Sequence, residues 1–243
     1  MITEKMLEDF KAHCLDEFPN EAVGVLTARK YHRMKNVADD PENQFEIDPE
    51  EYVKKTNPKM VLHSHTHAVD SMELRKMRRA GIDPRTPSVA DRRSQALSGL
   101  PYGVALCDGE GVSPVLTFGA DTPPLIGRRY VWGVTDCFTL VRDYFKLERD
   151  IEIEDRIVEF GFWRNGDNLI EEEFEDHGFE EIDRRMMEAG DVLLMQVNTE
   201  VPSHLGVLME DGTILHHQFR ELSRKAEWSD MGGYVVKVLR YKE

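Results

Sequence analysis

The sequence predicts a soluble protein of two domains that mix helix and strand, of α/β and α+β class. The chain has 243 residues, about 1.6 times a typical domain of ~150. Residues 1–120 hold 16 basic and 19 acidic side chains, and the remaining 123 hold 15 basic and 27 acidic, so most of the net charge of −15 falls in the second half. Between the halves runs Gly119-Ala-Asp-Thr-Pro-Pro-Leu-Ile-Gly127, where two prolines sit between glycines and no apolar period continues. The expected organisation is a domain over residues 1–118, a linker over 119–127 and a second domain over 128–243.

Composition excludes several classes. A hydrophobic share of 40% with 32% charged residues fits a globular chain and not a disordered one. The longest apolar runs, such as Val192 to Met195, fall far short of the ~18 residues of a membrane span, so no membrane insertion is expected. The N-terminus is acidic where a secretory signal needs a basic end and an apolar stretch, which argues against export. Three cysteines, Cys14, Cys107 and Cys137, are too few and too odd in number for a disulfide framework. The acidic second half repels phosphate backbones, so nucleic acid is not an expected partner.

Along the first half, Met6, Leu7, Phe10, Cys14, Leu15 and Phe18 recur at helical intervals until Pro19, which predicts an opening helix with Cys14 in the core. Ala22 to Thr27 and Met60 to Leu62 read as strands, the second running into His63-Ser-His-Thr-His67. Alternate residues of a strand share a face, so His63 and His65 can turn toward one cation while Ser64 turns away. Solvated histidines at a polar strand end are the plainer alternative; His13 and His32 read as structural. A zinc hydrolase needs a third protein ligand, an open position and a base. Asp91, in the first turn of a helix expected from Pro87-Ser88-Val-Ala-Asp91 to Gly99, can supply the ligand, with Asp70 as a competitor.

A glutamate at a strand start, then His-Ser-His, then Pro-Ser-x-x-Asp resembles the JAMM motif of the Mov34/MPN/PAD-1 metallopeptidases, over roughly residues 1–118. The resemblance implies a JAMM/MPN-like αβ fold, one zinc ion held by His63, His65 and Asp91, Glu21 as general base, and Ser88 as a donor to the developing oxyanion. Two features depart from the pattern: Thr66 stands where a proline is usual, and twenty-two residues separate His65 from Ser88 in place of about seven. The insert, over about 70–86, carries Asp70-Ser-Met-Glu73 as a capping box, a basic run with Arg75, Lys76, Arg78 and Arg79, and Gly81, so it reads as an added helix serving as a docking surface, a lid rim or simply a solvated face.

In the second half, Leu140, Val141, Tyr144 and Phe145 make a helical apolar face, and Cys137 sits at the start of that helix with Thr135 or Asp136 as its cap. The helix dipole and a nearby imidazole would lower the thiol pKa, as a nucleophile requires; a buried core cysteine is the plain alternative. Downstream, Ala189 to Met195 and Ser203 to His217 read as successive strands. A three-residue loop Glu210-Asp-Gly212, with Gly212 left-handed, puts His216 on the face of His204 and Gly206; a two-residue Asp-Gly turn selects His217 instead. The run Glu171 to Asp176 reads as a solvated face, His177 matches no motif, and Trp132 and Trp163 read as packing residues or cleft walls.

Tyr-x-Trp-Gly, Asp-Cys, Gly-Asp-Val-Leu, His-x-Gly-Val and a second histidine twelve residues later resemble the NlpC/P60 cysteine peptidases, over about residues 125–243. The resemblance implies a papain-like α+β fold with Cys137 as nucleophile, His204 as general base, His216 orienting it, and Tyr130 with the Cys137 amide as oxyanion donors. It also implies peptidoglycan peptides as substrate. The two halves joined in one unexported chain resemble tail-tip assembly proteins of long-tailed bacteriophages, which implies tail-tip proteins as partners, assembly in the host cytoplasm and a place at the virion tail tip. Alternatives are an assembly factor with vestigial sites and a cytoplasmic processing isopeptidase driven by the metal half.

Overall fold

The computed structural model describes residues 2–55 and 57–242, so Met1, Thr56 and Glu243, which include the two ends of the expected domains, lie outside the described residues. The chain packs as two compact units, Met1–Asp121 and Thr122–Glu243, dividing inside the proline-containing segment. Both mix helix and strand. Among the described residues no helix is long and apolar enough to cross a membrane, and all three cysteines are unpaired and buried.

The first unit opens with helix α1 (Glu4–Glu17), whose N-terminus is closed by the Thr3 side chain accepting from the Met6 amide. Its buried face is Met6, Phe10, His13 and Cys14, at helical spacing. Leu15, expected on that face, is exposed, and His13 takes an inner position because its ring nitrogen meets the Tyr31 hydroxyl at 2.9 Å. His32, also read as structural, meets Thr27 Oγ1 at 3.3 Å. Strands β1 (Val23–Leu26) and β2 (Tyr31–Met34) form a hairpin, followed by α2 (Pro49–Tyr52) and β3 (Met60–Thr66). After the insert helix α3 (Met72–Ala80) come α4 (Val89–Ser98), β4 (Tyr102–Cys107) and β5 (Leu116–Phe118).

The strand order is β2-β1-β3-β4-β5, with only the β3–β4 pair parallel. β3 is therefore central, with His63 opposite Val23 on one side and Val104 on the other. Helix α3 ends at Gly81, which adopts the left-handed conformation. Its N-cap is Ser71, accepting from the Leu74 amide, and not Asp70 in a capping box, because the chain turns into the helix one residue later than the spacing suggested.

The second unit is built on α5 (Cys137–Arg149) against one antiparallel sheet. Asp136 caps α5, accepting from the Thr139 amide while the Thr139 hydroxyl accepts from the Asp136 amide. Then follow α6 (Leu169–Glu173), β6 (Phe179–Ile182), β7 (Val192–Met195), β8 (His204–Leu208), β9 (Ile214–His216), β10 (Arg224–Ala226), α7 (Trp228–Met231) and β11 (Val235–Tyr241). The sheet order is β10-β9-β8-β7-β11-β6, so sequential hairpins are neighbours except where β11 returns between β7 and β6.

Both faces of the inner strands β7, β8 and β9 are buried, in keeping with their near-continuous apolar runs. Leu140, Val141, Tyr144 and Phe145 of α5 join Val192, Leu194, Leu205, Val207 and Leu215 in one core. Leu193, Met195, Leu208, Ile214 and Val238 form another with Met231.

A buried ion pair fastens the entry segment to α5. Arg128 Nη1 meets Asp143 Oδ2 at 2.7 Å with both side chains almost wholly buried, and its other nitrogens donate to the carbonyls of Pro123 and Pro124. Removing one partner strands the other charge in a dry site. Asp143→Ala is expected to destabilise the second unit by about 3–5 kcal/mol in denaturant unfolding of the whole chain. Arg142→Ala, which removes the more exposed partner of the same carboxylate, is expected to change stability by no more than about 1 kcal/mol.

Candidate functional site

In the second unit the functional side chains come from the start of α5 and from the β8–β9 hairpin. Met209 donates to Thr213 O across the loop Glu210-Asp211-Gly212, with Gly212 at φ 77°. This is the three-residue loop, and it sets Gly206 opposite His216. His204, two residues before Gly206, shares that face, and His204 Nε2 lies 3.1 Å from His216 Nδ1. A Cβ at position 206 would fall 2.7 Å from Ile214 and 3.0 Å from Met195, so glycine lets the two strands close up beside the imidazoles.

Cys137 is the first residue of α5 and is buried. Its sulfur faces the amides of Leu205, Phe138 and Cys137 itself, and among the described residues no hydrogen bond joins it to either imidazole. The expected low pKa is not found. Burial, followed by the Asp136 carboxylate, pushes the thiol up to about 12, outweighing the backbone amides that lower it. Burial first, and then the neighbouring histidines, hold His204 down at about 3, while burial and Arg224 hold His216 at about 4. Thiol and imidazole therefore rest as a neutral pair.

Tyr130 stands close enough to Cys137 for the two charges to interact, and burial raises its hydroxyl pKa well above the ordinary value. Its ring packs on His217 at 5.1 Å and on Phe219 at 5.3 Å. His217 is fully buried, with Nε2 3.2 Å from Glu221 O, so it is a packing residue whose loss would disturb Tyr130. Trp132 donates to Val158 O and packs with Trp163, Phe160 and Phe162. His177, without a motif in the sequence, sits edge-on to Phe138 at 5.6 Å.

In the first unit His63, His65 and Asp91 each bring one donor atom to within 4.8 Å of the others. His65 Nδ1 donates to Pro84 O at 2.9 Å, which leaves Nε2 toward Asp91 Oδ2 at 3.2 Å. His63 is fully buried, and among the described residues neither of its ring nitrogens is hydrogen-bonded. Asp91 is the third helical residue of α4 and forms a capping box with Ser88: its Oδ2 accepts from the Ser88 amide at 2.7 Å, and Ser88 Oγ accepts from the Asp91 amide at 3.1 Å. After a desolvation penalty that opposes it, the histidines and these hydrogen bonds hold the Asp91 carboxyl well below the ordinary range.

Glu21 is buried outside that donor group, and burial raises its carboxyl to about 8, with His65 lowering it and Asp91 raising it. Asp70, the competing ligand, is exposed and 3.6 Å from Arg75, remote from the donor group because it precedes an outlying helix. No motif of the sequence includes Arg156, whose buried guanidinium lies 2.9 Å from Glu173. Its signal in the sequence is that it is the only basic residue between Asp150 and Trp163.

The sequence pattern of the NlpC/P60 family matches residues 127–238. Over 253 aligned residues the chain is 28% identical to tail tip assembly protein K of Escherichia phage N15, covering 99% of this chain and 96% of that protein. It is 38% identical over 143 residues to tail tip assembly protein K of Escherichia phage lambda, covering 59% of this chain and 68% of that protein.

The neutral resting pair has a direct readout. A raised thiol pKa keeps the unreactive S–H form dominant through neutral pH, so iodoacetamide should modify Cys137 slowly at pH 7 and about tenfold faster per pH unit up to pH 9. A rate already level below pH 7 would reveal a preformed thiolate.

Proposed function

The chain belongs to the family of tail tip assembly protein K, and from that membership we propose that it is a phage tail-tip peptidase that cleaves peptidoglycan peptides. Cys137, His204 and His216 are its working residues. The observation that carries this reading is the 3.1 Å contact between His204 Nε2 and His216 Nδ1 on strands packed against the helix that begins with Cys137.

The chemistry follows from the ring nitrogens. With Nε2 donating to His216 Nδ1, His204 keeps Nδ1 as the acceptor for the thiol proton. The Cys137 side chain turns from the Leu205 amide toward that nitrogen as substrate enters, since catalytic hydrogen bonds often form only in the Michaelis complex. Sγ then attacks the peptide carbonyl while the proton passes to His204. The α5 N-terminal amide of Cys137 and the Tyr130 hydroxyl receive the oxyanion. His204 returns the proton to the leaving amine, and water, deprotonated by the same nitrogen, releases the acyl group.

We assign the first unit a zinc ion held by His63, His65 and Asp91. The fit rests on His63, a buried imidazole whose nitrogens lack partners, and on His65, whose tautomer the Pro84 carbonyl fixes with Nε2 free for a cation. Such an ion supplies Lewis acidity and lowers the pKa of bound water. Glu21, buried nearby, holds a proton at neutral pH in the metal-free chain; a bound cation would favour its ionised form, in which it takes the role of base, and Ser88 keeps its hydroxyl hydrogen to donate.

Incubating purified peptidoglycan peptides with the full chain tests the thiol site. Cys137→Ala should abolish cleavage, His204→Ala should lower kcat by about 10²–10⁴-fold, and His216→Ala should lower it less. Cleavage that survives Cys137→Ala would sink this reading. For the metal, elemental analysis should find about one zinc per chain. Asp91→Ala should lower both zinc content and the melting midpoint, whereas Asp70→Ala should change neither.

A further inference from the structure

At the Met60 end of β3, away from His65, a cavity of about 540 Å³ opens beside the β1–β2 hairpin, lined by Thr27, Arg29, Lys30, His32, Lys54 and Lys55. Arg29 and Lys30 belong to the turn of that hairpin, which the Thr27 amide closes by donating to Lys30 O at 3.0 Å. Lys54 and Lys55 follow α2, and the Lys59 amide, donating to Leu26 O at 2.8 Å, brings that part of the chain back beside the hairpin. Two segments distant in sequence thus bring four cationic side chains to one hollow. Among the described residues no acidic side chain lines it.

Like charges gathered in this way repel one another, and an arriving anion relieves the repulsion. The concentration is local, since residues 1–120 as a whole hold 16 basic and 19 acidic side chains. Among the described residues, the 3.9 Å contact of Lys55 with Glu51 is the only ion pair that any of the four cations makes. Glu51 is itself shared, because it also accepts from the Lys35 amide at 3.2 Å. The His32 ring registers the field: burial first, and then Lys30 and Lys55, hold its imidazole below the ordinary value.

The donor chemistry favours a peptide over a phosphate. Compact phosphates are held by backbone amides at helix N-termini or in nests, whereas Lys54 and Lys55 follow the C-terminal end of α2. Ammonium groups on flexible stems around a wide opening suit charges spaced along a chain, as the carboxylates of an acidic segment are. The net charge of −15 works against a long nucleic acid. We propose that this cavity is the docking site for an acidic segment of a partner protein.

The test is fluorescence anisotropy of the full chain with labelled decaglutamate, and with decaglutamine as the uncharged control. Decaglutamate should bind saturably and more weakly as salt rises, and decaglutamine should not bind. Arg29→Glu with Lys30→Glu, and separately Lys54→Glu with Lys55→Glu, should each weaken binding about tenfold or more. Arg75→Glu with Lys76→Glu, which reverses charge on the basic helix α3, should leave it unchanged. In the unsubstituted chain the NMR signals of the His32 ring should move as decaglutamate is added while those of His177 stay, a readout that needs no variant to fold. Four results would each overturn the proposal: no saturable binding at millimolar decaglutamate, a loss of affinity that follows α3 and not the cavity, a His32 ring that does not respond, or displacement of the peptide by tripolyphosphate or a single-stranded oligonucleotide at a lower concentration than by unlabelled decaglutamate.

Discussion

Gly206 faces His216 across the β8–β9 hairpin, and the two imidazoles meet only because that pairing holds. Strand side chains alternate with a period of two, so a slip of one residue would carry His216 to the other face of the sheet and bring His217 in its place. The loop prevents the slip: Gly212 adopts a conformation that other residues resist, Thr213 is tied to Asp211, and Met209 closes the turn. The seat of the thiol against the Leu205 amide and the packing of α5 on the same strand both inherit this register.

The first unit solves a different problem, that of keeping a buried imidazole in place without a hydrogen bond. His63 lies on the central strand, paired on both sides, and Phe45 packs on its ring at 4.6 Å. Asp91 is immobilised from the opposite direction by the α4 capping box, where the carboxylate also benefits from the positive end of the helix dipole. One carboxylate therefore serves both the helix start and the donor cluster. Oδ2 takes the Ser88 amide and also meets His65 Nε2 at 3.2 Å, while Oδ1 faces His63 at 4.0 Å.

Much of this was legible in the residues. The apolar period gave the α5 face, the Glu210-Asp-Gly212 loop offered the hairpin register, and His63 with His65 followed from strand alternation. What pattern could not give was desolvation. Spacing put Cys137 at a helix start, where a dipole lowers a thiol, but only the packed structure reveals that burial outweighs the dipole and that both imidazoles are neutral. The same blindness hid His217, whose burial depends on Tyr130 from a distant segment, and Arg156, whose neighbours Glu173 and Phe162 come from separate turns of chain. Leu15 misled because periodicity counts apolar residues without knowing which ones the sheet reaches.

The insert after β3 has a consequence for how such chains can diversify. Its two anchorages are self-sufficient: Thr66 closes the strand end by donating to Glu42 O, and Ser88 opens α4 through its own reciprocal bonds with Asp91. Of the three donor residues, only His65 takes support from between these anchors, at the Pro84 carbonyl. The stretch that contains α3 is thus a separate excursion between the two anchors, held down by the buried Leu74 side chain, and a change in its exposed charges leaves His63 and Asp91 at their stations so long as a carbonyl remains at the His65 ring.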